Sequence, residues 1–433
     1  MKNSFFLLAL FFSSFCFSQE KKDEYVNDNF LRYADHIYNE NICSVLIHET
    51  SFEMNPPLIE FNSGQQIELS FDDLEGGNKT YQYTFYHCDA SWNPSDLMVS
   101  EYLSGFFDDQ VNNRSTSFNT VVQYSHYKCT FPNASIKFTK SGNYVVLVYA
   151  NGNKEEPIVT RRFMVYENLV GISAVVHQPL GSDALYNSHE VDFSIVFGKY
   201  LITNPYQDIK VVLTQNNRWD NAKYGIKPVF VKESELTYDF DDGTNSFPAG
   251  NEFNHVDIKS TKFYGDHIQK MIRDTVTKIT DVYLMPDVVR NFKRYVSMRD
   301  INGRQLVKAN EATNSDNEAD YMWVHFSLPY EVQMTDGNLY VMGAFTMWQA
   351  NKDNKMVYNE KRKAYECTML MKQGFYDYQY VFFRDGVTDG DATLIEGNLA
   401  QTEDDYTVFV YHRSPTIFYD RLIAVKNLNS LRN

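Results

Sequence analysis

Basic residues and long apolar runs are both scarce in this sequence. Lysine and arginine number 40 against 56 aspartates and glutamates, which gives a formal net charge of −16. Nucleic acids and anionic membrane surfaces are bound through an excess of basic side chains, so the charge argues against both as partners. Beyond the first 18 residues, no apolar run approaches the roughly 18 residues that a membrane-spanning helix requires. The sequence therefore predicts no membrane-spanning segment.

Cysteine is also rare, with five residues in the chain. Cys16 lies in the N-terminal apolar segment, and the others are Cys43, Cys88, Cys129 and Cys367. These four are too few for a disulfide scaffold in a chain of this length. Cys88 and Cys129 lie in two predicted strands that flank one long connection and could pair. Buried free thiols are the alternative, and the sequence leaves the choice open.

Sequence patterns of common catalytic sites are missing. There is no nucleophile elbow, no zinc-protease helix and no phosphate-binding loop. His87, Cys88 and Asp89 are consecutive, but adjacent side chains of a strand point to opposite faces, so the three do not converge. Paired acids such as Asp72-Asp73 and Asp404-Asp405 stand in turn-like contexts. We therefore expect no enzyme activity, no cofactor and no metal ion.

Aromatic residues are abundant, with 31 tyrosines and 32 phenylalanines. They lie in short runs that alternate apolar and polar residues, as in 66–71 and 81–87. Turn residues separate these runs every 10 to 15 positions. This pattern is typical of antiparallel sheets. We predict an all-β fold of tandem immunoglobulin-like β-sandwiches.

The predicted segments follow one another along the chain. Residues 1–18 have the short basic start and apolar core of a signal peptide, and a lipoprotein anchor on Cys16 is the alternative. The predicted units are a first sandwich, a second sandwich, a linker or exposed loop and a last sandwich, at residues 25–166, 168–305, 306–320 and 321–425.

The last sandwich resembles the early-set immunoglobulin-like modules that include glycogen-binding domains. The resemblance rests on Gly343, Phe345 and Trp348, followed by an aromatic strand at 374–382. Trp348 stands where such modules place a sugar-stacking tryptophan, but no second aromatic platform follows Gly386. A carbohydrate-binding or polysaccharide-handling protein is therefore the alternative function.

A series of motifs beginning in the stretch 85–132 resembles the type IX secretion system plug proteins of Bacteroidetes, formerly a domain of unknown function. The motifs occur in order at 87–92, 101–106, 124–127, 131–133, 141–144, 161–163, 215–219, 248–253, 396–406 and 419–423. The signature positions, expected to be structural, are His87, Asp89, Trp92, Gly105, Pro132, Gly142, Arg161 and Arg162. Asp89 and Asn93 are expected to fix the turn around Trp92.

The resemblance implies a mechanical function. Such a plug sits in the periplasm at the inner face of the outer membrane and closes a large outer-membrane β-barrel translocon. The resemblance also implies a protein that is monomeric when free. Candidate contacts to the barrel are Arg218, Trp219, Asn251, Glu252, Phe253 and Trp348. The family pattern has arginine where this chain has Asn254, which places any partner contact of that side chain in doubt.

Overall fold

The computed structural model describes residues 30–179 and 185–432. Strands make up 46% of the structure and helices 5%, which confirms the predicted all-β class. In the part of the chain that is described, no helix is long and apolar enough to cross a membrane. The predicted signal peptide at 1–18 lies outside the described residues.

The strands are numbered along the chain. The first twelve are β1 His36–Ile37, β2 Ile42–Glu49, β3 Leu58–Glu60, β4 Ile67–Asp73, β5 Tyr81–Cys88, β6 Leu103–Gly105, β7 Asp108–Gln110, β8 Asn113–Thr116, β9 Ser125–Phe131, β10 Ile136–Phe138, β11 Gly142–Ala150 and β12 Pro157–Tyr166. The next seven are β13 Gly171–His177, β14 Ser188–Val196, β15 Ile209–Gln215, β16 Lys223–Tyr224, β17 Phe230–Val231, β18 Glu235–Tyr238 and β19 Ser246–Pro248.

The remaining strands are β20 Asn254–Asp257, β21 Ile268–Arg273, β22 Thr280–Leu284, β23 Gln305–Val307, β24 Tyr321–Pro329, β25 Gly337–Met342, β26 Val357–Asn359, β27 Ala364–Lys372, β28 Gly374–Arg384, β29 Asp405–Ser414 and β30 Ile417–Asn429. The helices are single turns, α1 Val99–Tyr102, α2 Pro205–Asp208, α3 Ser315–Glu318 and α4 Thr393–Glu396, with a 3₁₀ turn at Ala344–Thr346.

The first sandwich comprises β1 to β12. One sheet has the order β1-β12-β11-β5-β7 and faces a second sheet of order β2-β4-β9-β8. Alternate residues of the strands point inward, and aromatic rings fill the space between the sheets. Phe85 packs edge-to-face on Phe131 at 4.8 Å and on Phe163 at 5.6 Å.

The second sandwich is discontinuous in sequence. Its first sheet has the order β13-β14-β18-β17 and its second the order β16-β15-β29-β30. Ile209 to Gln215 of β15 pair with His412 to Tyr406 of β29, so the last two strands of the chain complete this core. The expected division, with the second sandwich at 168–305 and the last at 321–425, therefore differs from the observed pairing.

The third sandwich is inserted between β19 and β29. Its sheets are β20-β28-β23, extended by β25, and β21-β22-β24-β27-β26. Strands β20 to β22, expected in the second sandwich, lie here because their apolar residues pack with those of β24 and β28. The expected linker 306–320 contains the end of β23 and the turn α3, and its Ala309 and Ala319 are buried. This segment is part of the fold.

Cys43, Cys88, Cys129 and Cys367 are free thiols. The side chain of Cys88 points away from the first core, whereas that of Cys129 points into it. The two belong to different sheets, and the sheet that contains Cys88 lies between the two thiols. Burial raises the pKa of the Cys88 thiol to about 12, which keeps it neutral at physiological pH.

Candidate functional site at the junction of the three sandwiches

The first and second sandwiches share an apolar interface on the outer face of the β5-β11-β12 sheet. Its buried members are Cys88, Ala90, Trp92, Val145, Met164, Val212, Phe409, Tyr411 and Leu422. The Asp89 carboxylate accepts the N–H groups of Ser91 and Asn93, each at 2.9 Å, as the sequence predicts. The turn so formed holds Trp92 at φ 67° and directs its ring to Trp219, 4.8 Å away.

Polar contacts reinforce this interface. Asp420 is fully buried and accepts the Ala90 N–H at 2.8 Å and the Lys210 ammonium at 2.8 and 2.9 Å. Arg421 pairs with both carboxylate oxygens of Glu167, at 2.7 and 2.6 Å. Burial acts to raise the pKa of Glu167, but the hydrogen bonds from Arg421 and Ser141 and the positive charges of Arg421 and Lys140 together outweigh it, and the pKa is lowered. The first and second sandwiches are thus held in one orientation.

A buried ion pair joins the first and third sandwiches. Lys372 Nζ lies 2.6 Å from Asp72 Oδ2, with the two side chains 2% and 0% exposed. Tyr321 donates to the same oxygen at 2.7 Å, and His126 Nδ1 donates to Asp72 Oδ1 at 2.7 Å. The lysine also lies 4.3 Å from the centre of the Tyr124 ring. Burial lowers the pKa of Lys372, and Asp72 opposes that shift.

The second and third sandwiches are joined by two chain segments that run side by side. Leu399 N donates to Gly250 O at 2.8 Å, and Gly250 N donates to Asn398 Oδ1 at 2.8 Å. Arg304 of the third sandwich pairs with Asp405 of the second at 2.7 Å. Every pair of sandwiches is therefore linked by directional polar contacts.

A cavity of about 390 Å³ lies where the three sandwiches meet. Its lining includes Arg161, Arg162, Trp219, Met347 and Trp348. Arg161 is 5% exposed and donates to Thr160 O at 3.2 Å and to Met347 Sδ at 2.9 Å. Burial lowers the pKa of this guanidinium, and Asp35 opposes that shift. The cavity is lined by both apolar and cationic side chains.

Comparisons with known proteins find one matching family model and a similar solved structure. Residues 42–167 match a family model described as "Type 9 secretion system plug protein 1st domain". A crystal structure of a hypothetical protein from Parabacteroides merdae ATCC 43184 is similar at 33% identity with a TM-score of 0.88, covering 92% of this chain and 100% of that one. The first sandwich of this chain therefore belongs to the type IX secretion system plug family. No curated protein matches it. Proteins of the plug family are secretion-system components, and the family is not a known enzyme family.

The plug signature positions make internal contacts. His87 Nδ1 contacts Ser95 Oγ at 2.9 Å and Nε2 contacts Ser141 O at 3.2 Å, and burial lowers the pKa of the ring to about 4. A Cβ on Gly142 would lie 2.5 Å from that Nε2, and one on Gly105 would lie 2.2 Å from Ser135 O. Pro132 follows a cis peptide bond. These contacts support a structural role.

Arg162 completes the signature at the junction. Its guanidinium lies 4.7 Å from the centre of the Trp92 ring, and its Nε and Nη2 donate to Tyr33 O at 3.1 and 3.0 Å. Arg161, Arg162 and Trp92 therefore meet at the junction, whereas His87 and Gly105 serve the first sandwich. The sequence predicts only a turn around Trp92, whereas the structure places its ring between two sandwiches.

The residues expected to contact the barrel are mostly enclosed at the same junction. Arg218 lies 4.1 Å above the Trp348 ring and pairs with Asp220 at 2.6 Å. Phe253 packs edge-to-face on Trp348 at 5.9 Å. Glu252 and Phe253 are 2% and 4% exposed, and Asn251 Nδ2 donates to Glu396 O at 2.8 Å. Their low exposure does not favour them as partner contacts. Arginine and aromatic residues are typical of interfaces between proteins, but they are equally typical of interfaces within a chain.

Several buried acidic residues carry no signal of their burial in the sequence. Asp72 and Asp404, expected in acidic turns, are 0% and 2% exposed. Glu396 pairs with Arg290 at 2.6 Å and also contacts Asn254 Nδ2, the position where the family pattern has arginine. Charged residues in turn-like sequence are expected to be solvated. Only the folded structure shows that these acids meet polar partners, Asp72 across the first and third sandwiches, and Asp404 and Glu396 within the second and third, respectively.

The buried carboxyl group of Asp377 in the third sandwich should make the stability of the fold depend on pH. Burial raises the pKa of Asp377 to about 8, with the Asp300 carboxylate adding to the shift. The folded protein then binds a proton that the unfolded chain has lost, so stability should fall as pH rises from about 4 to about 8. Asp377→Asn keeps an acceptor for the N–H groups of Ile301 and Gly303 and should flatten this decline.

Denaturant unfolding at half-unit pH steps measures the effect. A tenfold difference in proton affinity between the folded protein and the unfolded chain changes the free energy of unfolding by about 1.4 kcal/mol, so the decline is large enough to detect. The control is Asp389→Asn at an exposed position, which should leave the slope unchanged. Equal slopes for wild-type protein and Asp377→Asn would contradict the assignment.

Proposed function

We propose that this protein is the periplasmic plug that binds and seals the periplasmic opening of the giant outer-membrane barrel of the type IX secretion system. Residues 1–18 direct its export as a signal peptide. The mature protein is a monomer when free and binds at the inner face of the outer membrane. Its action is mechanical: it fills an opening through which ions and small molecules would otherwise leak.

The observation that carries the proposal, beside family membership, is the linkage of three sandwiches into one body. Each pair of sandwiches is joined by buried or half-buried polar contacts, including the ion pairs Lys372–Asp72, Arg421–Glu167 and Arg304–Asp405. A body that closes a wide opening must not yield between its domains. The net charge of −16 suits a basic rim on the barrel.

Phe106 is the best candidate for direct contact with the barrel. It belongs to the motif at 101–106, yet its side chain is 70% exposed, and the neighbouring Phe107 is 42% exposed. Phenylalanine is among the aromatic residues that are enriched at the cores of protein–protein interfaces. A stable seal would bury more than about 2,000 Å² in total, and this pair would form part of it.

Affinity capture of the tagged protein from crosslinked envelopes tests the proposal, and the barrel should co-purify. Phe106→Ala should weaken binding by about 30-fold, since a hot-spot residue is worth about 2 kcal/mol. The matched control is Phe418→Ala, at a phenylalanine that is 71% exposed in the last hairpin. Recovery of the wild-type protein only as a free periplasmic species after crosslinking would overturn the proposal. Equal capture of both variants would remove Phe106 from the contact.

The alternative of carbohydrate binding finds less support. Trp348 would have to offer a free ring face to a sugar, but Arg218 lies 4.1 Å above that ring. A Cβ built on Gly303 would lie 2.6 Å from the ring, so the backbone of that glycine is also close. The Trp348 ring packs between residues of two sandwiches.

A further inference from the structure

Three ligand-type side chains meet on the outer face of the second sandwich. His177 of β13 is paired directly with Glu190 of β14, and Asp192 lies two residues further along the same strand, opposite Val175. Residues two apart in a strand share a face. Val191 and Phe193 belong to the core, so Glu190 and Asp192 point outward. One nitrogen of His177 and one oxygen of each acid lie within 4.8 Å of one another.

The histidine ring is oriented for ligation. Its Nδ1 lies 2.9 Å from Gln178 O, a carbonyl that accepts the Nδ1–H. That contact leaves the lone pair on Nε2, which lies 2.6 Å from Asp192 Oδ2 and 3.9 Å from Glu190 Oε1. A lone pair facing two carboxylate oxygens is repulsive unless a positive species lies between them. A backbone carbonyl on the other ring nitrogen is the usual support of a metal-binding histidine.

Each carboxylate is also fixed by a hydrogen bond to its second oxygen. Asn245 Nδ2 donates to Asp192 Oδ1 at 2.9 Å, and Ser246 Oγ donates to Glu190 Oε2 at 3.2 Å. The remaining oxygen of each acid faces His177 Nε2. The Glu190 side chain is only 7% exposed. Within residues 30–179 and 185–432, His177 is the sole basic side chain that pairs with either acid. The site therefore concentrates negative charge that no lysine or arginine relieves.

We propose that His177 Nε2, Glu190 Oε1 and Asp192 Oδ2 bind a divalent transition-metal ion, with Zn²⁺ as the best match. One nitrogen and two carboxylate oxygens with an open fourth position suit this ion. Ligand atoms around tetrahedral zinc lie about 3.3 Å apart, given zinc–ligand distances of about 2.0–2.2 Å. The separations of 2.6 and 3.9 Å from Nε2 need adjustments of less than about 1 Å. The ion would tie β13 to β14.

The competing occupant is a proton on Nε2, which would make an ordinary ion pair between His177 and Asp192. The sequence shows neither possibility, because the two residues are 15 positions apart and only the strand register brings them together. The two occupants differ in what they predict for added metal, so the distinction is experimental.

Isothermal titration of ZnCl₂ into the chelator-treated full-length protein tests the proposal. One ion should bind per chain with a Kd of about 10 μM or tighter, and MgCl₂ should bind at least 100-fold more weakly because the nitrogen ligand disfavours it. Co²⁺ in place of zinc should give the visible absorption of a four-coordinate site. His177→Gln and Asp192→Asn should each weaken zinc binding by at least tenfold while the thermal unfolding midpoint without metal stays close to that of the wild-type protein.

The matched control is His255→Gln, which removes a histidine that faces one carboxylate, that of Asp266 at 2.9 Å, and should leave zinc binding unchanged. Absence of zinc binding at 1 mM would overturn the proposal and leave the protonated pair as the occupant. Zinc binding that survives both His177→Gln and Asp192→Asn would place the ion elsewhere and would equally overturn it.

Discussion

Replacing Lys372 with methionine is expected to destabilise the protein by about 3–5 kcal/mol, because removal of one partner leaves the other charge buried and uncompensated. The remaining group is Asp72, fully buried between the first and third sandwiches. Methionine matches the apolar stem of lysine, so packing changes little and the loss reports the charge. Urea unfolding followed by tryptophan fluorescence measures it as a shift of the first transition.

A double variant separates the charge effect from packing. Lys372→Met with Asp72→Asn removes both charges and should recover part of the loss. Lys363→Met is the control, because the Lys363–Glu331 pair has side chains that are 61% and 85% exposed. Lys363→Met should leave the urea concentration of the first unfolding transition unchanged. A loss for Lys372→Met no larger than for Lys363→Met would contradict a supporting role for the buried pair.

Replacing Trp92 with alanine is expected to cost about 3–5 kcal/mol, the range for deletion of a large buried aromatic side chain. Trp92 is 3% exposed and contacts both Trp219 of the second sandwich and Arg162 of the first. Its loss should open a cavity at the interface and uncouple the two sandwiches. Calorimetry should then show the first unfolding transition either divided into two or moved to a lower temperature.

Trp323 provides the matched control, since it is 38% exposed on a sheet of the third sandwich. Trp323→Ala should shift the transition by no more than a small fraction of the Trp92→Ala effect. If the two alanine variants unfold alike, Trp92 does not anchor the interface. The comparison uses the same change of residue type in both places.

Local structure follows from the residues in several places. Alternating apolar residues predict β4 and β5, and the alternation of side chains correctly separates His87 from Cys88. Asp89 predicts the turn before Asn93, because its short carboxylate can accept nearby N–H groups. These features depend on neighbours in sequence, and so a single sequence is enough to infer them.

Long-range pairing does not follow from the residues alone. Strand β29 lies about 190 positions from its partner β15 (Gln215 pairs with Tyr406), and a β-strand pattern carries no label for its partner. The same limit hides the ion pair of Asp72 and Lys372, which are 300 positions apart. From the sequence, Trp219 and Trp348 are expected to contact the barrel, with sugar stacking by Trp348 as the alternative, and Trp92 is expected to lie in a turn fixed by Asp89. They form the interior of a junction whose existence depends on that pairing.

Electrical conductance of the isolated barrel tests the central claim most directly. The barrel is reconstituted in a planar bilayer, and the purified protein is added on the periplasmic side. We predict a large open conductance for the barrel alone and its loss when the plug is added, with Phe106→Ala requiring about 30-fold more protein than Phe418→Ala for the same closure. An open conductance that remains unchanged at saturating protein would contradict the account.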